Sequence, residues 1–154
     1  MVEIRFATKD DIECLMSIRL EMLKVVNNLT ADHEFTEEMI SESRDYFLTG
    51  DHLTVLAMDG DAAIGCATIS FVRIMPTFEH PTGKRAHLMN VYTRHEYRRQ
   101  GIARKMVESL IDKTWEKGAT EISLDATALG RPLYESMGFA DSAECMVLKN
   151  DKLG

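Results

Sequence analysis

Hydrophobic and polar positions alternate over Val2-Glu3-Ile4-Arg5-Phe6, which is the two-residue period of a half-buried strand. Thr8 then stands where a helix N-cap is expected, with Asp10 and Asp11 in the first turn at the positive end of the helix dipole. Ile12, Leu15, Met16, Leu23 and Val26 form an apolar stripe that carries this helix to about Val26. A second helical stretch is predicted over residues 36–48, ending at Gly50. Strands follow at residues 52–58 and 62–72, joined by Asp59-Gly60-Asp61. An Asp-Gly pair between apolar runs marks a hairpin, because glycine accepts positive φ without penalty. Pro76, Pro81 and Gly83 make residues 73–84 a loop, and residues 85–93 read as the next strand.

The most periodic helix spans residues 102–117. Ile102, Ala103, Met106, Val107, Leu110, Ile111 and Trp115 fall on one side, and Gly118 sits just past the end. A strand at 121–126, a short helix around 129–137 and a last strand near 143–149 complete the pattern. This order predicts an α/β fold, a mixed sheet with helices packed on it.

The 154 residues match the length of one domain and bury roughly 69% of their unfolded surface. A composition 45% hydrophobic and 28% charged excludes disorder, collagen and coiled coil. No apolar run reaches the roughly 18 residues of a membrane helix, and no secretory signal stands at the N-terminus, so the expectation is a cytoplasmic protein without a membrane partner. Eighteen basic against 25 acidic side chains give a net charge of −7, which argues against nucleic-acid binding. Cys14, Cys66 and Cys145 lie far apart and make neither a metal cluster nor a disulfide framework, so each is expected as a small buried hydrophobe. No histidine pair has metal-ligand spacing, and no metal is expected.

Chemistry concentrates between the 85–93 strand and the 102–117 helix. A loop entering a helix exposes unpaired backbone N–H groups at the positive end of the dipole. Gly101 allows an anion close to that backbone, Ala103 keeps the first turn uncrowded, and Arg98, Arg99 and Arg104 add positive charge to an acidic protein. Together they predict a phosphate or pyrophosphate site. The segment is neither a dinucleotide G-x-G-x-x-G nor a Walker loop.

Arg98-x-x-Gly101-x-Ala103 resembles the Q/R-x-x-G-x-G/A signature of the GNAT N-acetyltransferase superfamily, in the strand-to-helix context of that family. A second stretch, Gly130-Arg131-Pro132-Leu133-Tyr134-Glu135-Ser136-Met137-Gly138-Phe139, resembles the family's closing A-x-x-L-Y-x-x-x-G-F helix at the family's spacing. The order of elements from Ile4 to Lys149 is similar as well. The resemblance implies a largely antiparallel mixed sheet with helices on both faces and acetyl-CoA as co-substrate. It implies that the backbone of Val91, Tyr92 and Thr93 holds the acetyl carbonyl and pantetheine arm. Arg98, Arg99, Gln100, Gly101, Ile102, Ala103 and Arg104 would hold the pyrophosphate. Tyr134 would protonate the departing thiolate, and Thr127 stands where many members have an asparagine on the CoA arm. His87 occupies the position of a glutamate that some members use as base, and an imidazole suits that task at neutral pH.

Alternation puts His87 on one face with Met89 and Val91 unless an insertion breaks the register. The acceptor implied is a primary amine, on a small molecule or a protein, in a groove lined by residues 23–47 and 73–84; net acidity favours a cationic one. The residues leave open a non-catalytic acyl-CoA-binding module and a transferase for a longer acyl-CoA. A homodimer, common in that family, is open too.

Overall fold

A computed structural model describes residues 1–142 and 144–153. Five strands and four helices follow in the order β1 (Val2–Phe6), α1 (Ile12–Val26), α2 (Glu37–Thr49), β2 (His52–Asp59), β3 (Ala62–Arg73), β4 (Lys84–Thr93), α3 (Ile102–Glu116), β5 (Ile122–Leu124) and α4 (Arg131–Ser136). The strands lie in one sheet in chain order. β1 to β4 pair antiparallel through short connections, and β5 joins β4 in parallel, with α3 as the crossover that a parallel pair requires. The hairpin turns at Gly60, whose φ is +61°.

Alternation along the strands sends side chains to two cores. Val55, Ala57, Ile69 and Leu88 meet Ile102, Met106, Val107 and Leu110 of α3 on one face. Leu56, Cys66 and Tyr92 meet Leu15, Ile18 and Met22 of α1 on the other. Each fully buried Val, Leu, Ile or Met among them contributes about 1.5–3 kcal/mol. Helices therefore cover both faces of a largely antiparallel sheet. At the start of α1, Asp11 accepts the Thr8 N–H at 2.8 Å and both Arg5 Nη atoms at 2.9 and 2.8 Å. The Arg5 guanidinium, helped by that N–H, lowers the Asp11 carboxyl to about 2.

Four expectations are corrected. Trp115 is 49% exposed, and Thr114 takes the buried position, its hydroxyl donating to the Leu110 carbonyl at 2.7 Å. The strand expected at 121–126 is only three residues long. Residues 144–149 form no strand, and Ala143 lies outside the described residues. Of the cysteines only Cys66 is buried, its thiol pushed up to about 12 by desolvation, whereas Cys14 is half-buried and Cys145 exposed.

Candidate active site

Pairing between β4 and β5 ends at Leu88 opposite Leu124, while β4 runs on to Thr93. Past that point the β5-side edge of β4 has no ladder partner among the described residues, and a cleft of about 790 Å³ opens between the strands. Elements from both faces of the sheet meet in it: Met22, Val25 and Val26 of α1, Ile102, Ala103 and Arg104 of α3, and Leu133 and Tyr134 of α4.

A β-bulge shapes the β4 wall. Thr68 pairs with Met89 and Cys66 with Tyr92, so β4 carries one residue more than β3 between those pairs. Asn90 sits there with φ +58°. Its amide donates to the Thr68 hydroxyl at 3.2 Å and accepts from Arg19 Nη1 at 3.1 Å, and its carbonyl accepts from the Cys66 thiol at 3.2 Å. The bulge breaks the alternation expected along β4. Met89, in contact with Ser70 Oγ, and His87 stay opposite to the Ala86 and Leu88 face, whereas Val91 packs on the α3-side core and Tyr92 on the α1-side core. His87 and Val91 therefore do not share a face.

The β4–α3 loop is held from beneath. Glu21 of α1 accepts from Arg94 Nε and Nη2 at 2.9 and 2.8 Å and from the Tyr92 hydroxyl at 2.9 Å, which lowers the Glu21 carboxyl, chiefly through Arg94. Burial, reinforced by the same carboxylate, raises the Tyr92 phenol to about 12. Above this base the chain turns twice through left-handed geometry, at Arg99 (φ +65°) and Gly101 (φ +75°). A Cβ at Gly101 would meet nothing within 4 Å, so the backbone conformation, not crowding, calls for glycine. The first α3 turn has N–H groups without intrahelical acceptors, as every helix start does. Arg98, Arg99 and Arg104 line the cleft beside it, with Arg98 Nε donating to the Thr93 carbonyl at 3.0 Å. The Thr93 hydroxyl is buried without a hydrogen-bond partner among the described residues.

Tyr134 lines the same cleft, its ring edge-on to Phe139 at 5.9 Å. Among the described residues its hydroxyl has no hydrogen-bond partner, and burial raises its phenol above the ordinary range. A Cβ at Gly130 would stand 2.9 Å from Tyr134 Cε2, so that position is small because the ring lies against it. Thr127 Oγ1 accepts the Gly130 N–H at 3.1 Å, which caps the approach to α4. His87 also lines the cleft, with Nδ1 2.8 Å from the Ser123 hydroxyl and Nε2 3.6 Å from the Asp125 carboxylate.

Of the thirteen positions singled out in the sequence, the cleft lining gathers all but Gln100, which is exposed outside it. Val91 belongs to that lining, although it packs on the core. Sequence reasoning missed Asn90, Glu21, Arg94 and the α1 wall. The preference of asparagine for left-handed backbone is the one local cue to the bulge. The Glu21 contacts span 71 to 73 residues along the chain and leave no local cue.

An open strand edge, a left-handed turn into a helix and a cleft between splayed parallel strands agree with the acetyltransferase resemblance carried by the motifs. Residues 20–139 match the acetyltransferase (GNAT) family, and the chain belongs to it. It is 26% identical over 124 residues to a glucosamine 6-phosphate N-acetyltransferase of Arabidopsis thaliana, covering 80% of each chain. A predicted acetyltransferase from Clostridium acetobutylicum, solved with acetyl-CoA, superposes with a TM-score of 0.84 at 29% identity, over 97% of this chain and 96% of that one. A GCN5-related N-acetyltransferase from Ralstonia eutropha shares the fold, with a TM-score of 0.75 at 23% identity over 97% and 99% of the two chains.

Proposed function

We propose that the protein moves an acetyl group from acetyl-CoA to a primary amine by direct attack in the β4/β5 cleft, with the Tyr134 phenol as general acid. One observation carries this reading: a tyrosine hydroxyl without a partner among the described residues lines the same cleft as the open β4 edge and the arginine-flanked turn.

The residues present suit the co-substrate. The unpaired β4 edge around Val91 to Thr93 matches an amide-rich arm, and the buried Thr93 hydroxyl lacks an acceptor or donor that such an arm supplies. Arg98, Arg99 and Arg104 with the backbone of residues 99–104 suit a pyrophosphate. Thr127 suits the arm less well, since its hydroxyl already accepts from Gly130. Bound acetyl-CoA supplies the activated thioester carbonyl; the chain orients it and manages the protons. The phenol raised by burial keeps its proton at neutral pH and gives it to the leaving sulfur. His87, held between the Ser123 hydroxyl and Asp125, takes the proton that the ammonium must lose, directly or through a water. Met22, Val25, Val26 and Met89 make the acceptor end apolar, so the amine is held there mainly by shape.

Thermal shifts with acetyl-CoA, CoA and ATP at matched concentration test the first half. A ligand at 100 times its Kd adds about 2.7 kcal/mol, several degrees in a domain this size. Both CoA species are expected to shift the midpoint and ATP to leave it unmoved. Release of CoA thiol is then followed with glucosamine 6-phosphate, an aminoglycoside, a polyamine and a lysine peptide. Binding without turnover on any amine identifies a non-catalytic acyl-CoA module; turnover only with propionyl- or succinyl-CoA identifies another acyl transferase.

A further inference from the structure

Arg19 of α1 carries a charge that its neighbours do not balance. Among the described residues its guanidinium makes one hydrogen bond, from Nη1 to the neutral Asn90 amide oxygen at 3.1 Å, and no carboxylate acts on it. Arg5, Arg44, Arg94 and Arg131 each pair with a carboxylate that raises the pKa, whereas burial lowers that of Arg19. Keeping a half-buried guanidinium without a counter-charge costs stability. Clamping the bulge needs a single N–H, yet arginine brings five donors and a charge. The nitrogens that Asn90 leaves over are neither bonded within the described residues nor sealed from solvent.

The place of this side chain gives the charge a use. Arg19 precedes Met22 and Val26 by three and seven residues, so it shares their face of α1, and both of those line the cleft. Asn90, which it grips, lines the cleft too. The guanidinium therefore stands at the margin of the acceptor end, where α1 meets the bulge, away from the arginines around the α3 turn. Asp125 is the one carboxylate in the described lining and lies 3.6 Å from His87 Nε2. The acceptor end thus has a negative group beside His87 and a positive one at Asn90, with Met89 between them along β4.

We propose that the acceptor is a small amine that also carries an anionic oxygen group, a carboxylate or a phosphate, and that Arg19 takes that group while Asp125 and His87 face the ammonium. The planar fork of a guanidinium matches two oxygens of either group at once. The inference rests on the transfer reading of the cleft. It also replaces net charge as the guide to the acceptor: −7 over the whole chain favours a cation, but the side chains at this end fit a zwitterion.

Matched amines test it: phenylalanine against phenylalaninamide, and O-phosphoethanolamine against ethanolamine. Each is titrated calorimetrically into the CoA-loaded chain and followed for thiol release with acetyl-CoA. The anionic member of at least one pair is expected to bind about tenfold or more tightly than its neutral partner, and which pair does so tells carboxylate from phosphate. In Arg19→Gln, which keeps an N–H for Asn90, that ratio is expected to fall to about one while stabilisation by acetyl-CoA persists. Arg19→Lys, which keeps the charge without the fork, is expected to retain part of it. A wild-type chain that prefers neither anionic amine, or binds neither, overturns the proposal whether or not the variants fold. A preference that survives Arg19→Gln overturns it as well, because another group then holds the anion. Preferential binding lost in Arg19→Gln, but without thiol release from any amine, supports the anion site and overturns the transfer reading alone.

Discussion

The β4 wall of the cleft is tied down at many points, whereas the wall opposite rests on a three-residue strand and a six-residue helix. Asn90 binds Arg19 and Thr68, the Thr68 and Thr54 hydroxyls lie 2.8 Å apart beneath it, and Glu21 clamps Arg94 and Tyr92 from α1. No residue of α4 is buried, and the polar ties Arg104–Ser136 and Arg131–Asp141 lie at the surface. Local opening free energy follows such differences in buried contact. The backbone that would hold a thioester is thus fixed in advance, and the wall that would deliver the acid is free to yield to a ligand.

Three substitutions probe the two walls and their joint and a fourth lies outside the cleft, from the largest expected effect to the smallest. Tyr134→Phe acts on the yielding wall. Turnover is expected to fall about 100-fold or more while the Kd for acetyl-CoA stays within a factor of two, read by thiol release and calorimetry. With Tyr134 as the proposed acid, the alkaline limb of the wild-type rate is expected above the ordinary tyrosine range, because burial raises the phenol, and is expected to be absent from the variant. An equal loss of binding and turnover instead makes Tyr134 a packing residue.

Asn90→Ala acts on the fixed wall. It strips the Arg19 guanidinium of its side-chain acceptor and leaves alanine at φ +58°. A loss of about 2–3 kcal/mol in urea unfolding is expected. Stability unchanged within 0.5 kcal/mol means that water replaces the amide and the bulge stands on pairing alone.

Gly101→Ala probes the joint between the walls. Its Cβ meets open space, but φ +75° costs an L residue about 1–2 kcal/mol, so acetyl-CoA binding is expected to weaken roughly tenfold with the melt shifted by less than the Asn90 variant. A Kd equal to wild type breaks the link between that turn and the ligand.

Asp11→Asn lies away from the cleft and has the smallest effect, roughly 1 kcal/mol once solvent screening is allowed for. Arg5 lowers the Asp11 carboxyl from 3.8 to about 2, so its contribution is present above pH 4 and lost as pH falls from 4 to 2. Urea midpoints across that range are expected to slope in the wild type and to flatten in the variant.

The elements legible in the sequence were those whose signals are local. Asp59-Gly60-Asp61 marks the hairpin, and the α3 stripe and Gly101 mark the strand-to-helix turn. The last helix turn misled: Trp115 looks apolar, yet the stripe continues from Leu110 to Thr114, whose methyl packs and whose hydroxyl bonds the preceding turn. The bulge was illegible because it depends on Thr68, Cys66 and Arg19 on other elements. The 143–149 stretch reads as a strand from the sequence, but a strand needs a neighbour, and the described residues offer 144–149 none.

The bulge at Asn90 also bears on how such a chain can change over time. It reverses parity halfway along β4, so the odd positions before it and the even position after it, Tyr92, share the α1-side face. On the proposed reading, substitution at 89 would remodel what the cleft accepts while His87, Tyr92 and the Glu21 anchor of Tyr92 are left alone. One strand thus holds two separable inheritances, and under that reading a new acceptor would be acquired without relearning the old co-substrate.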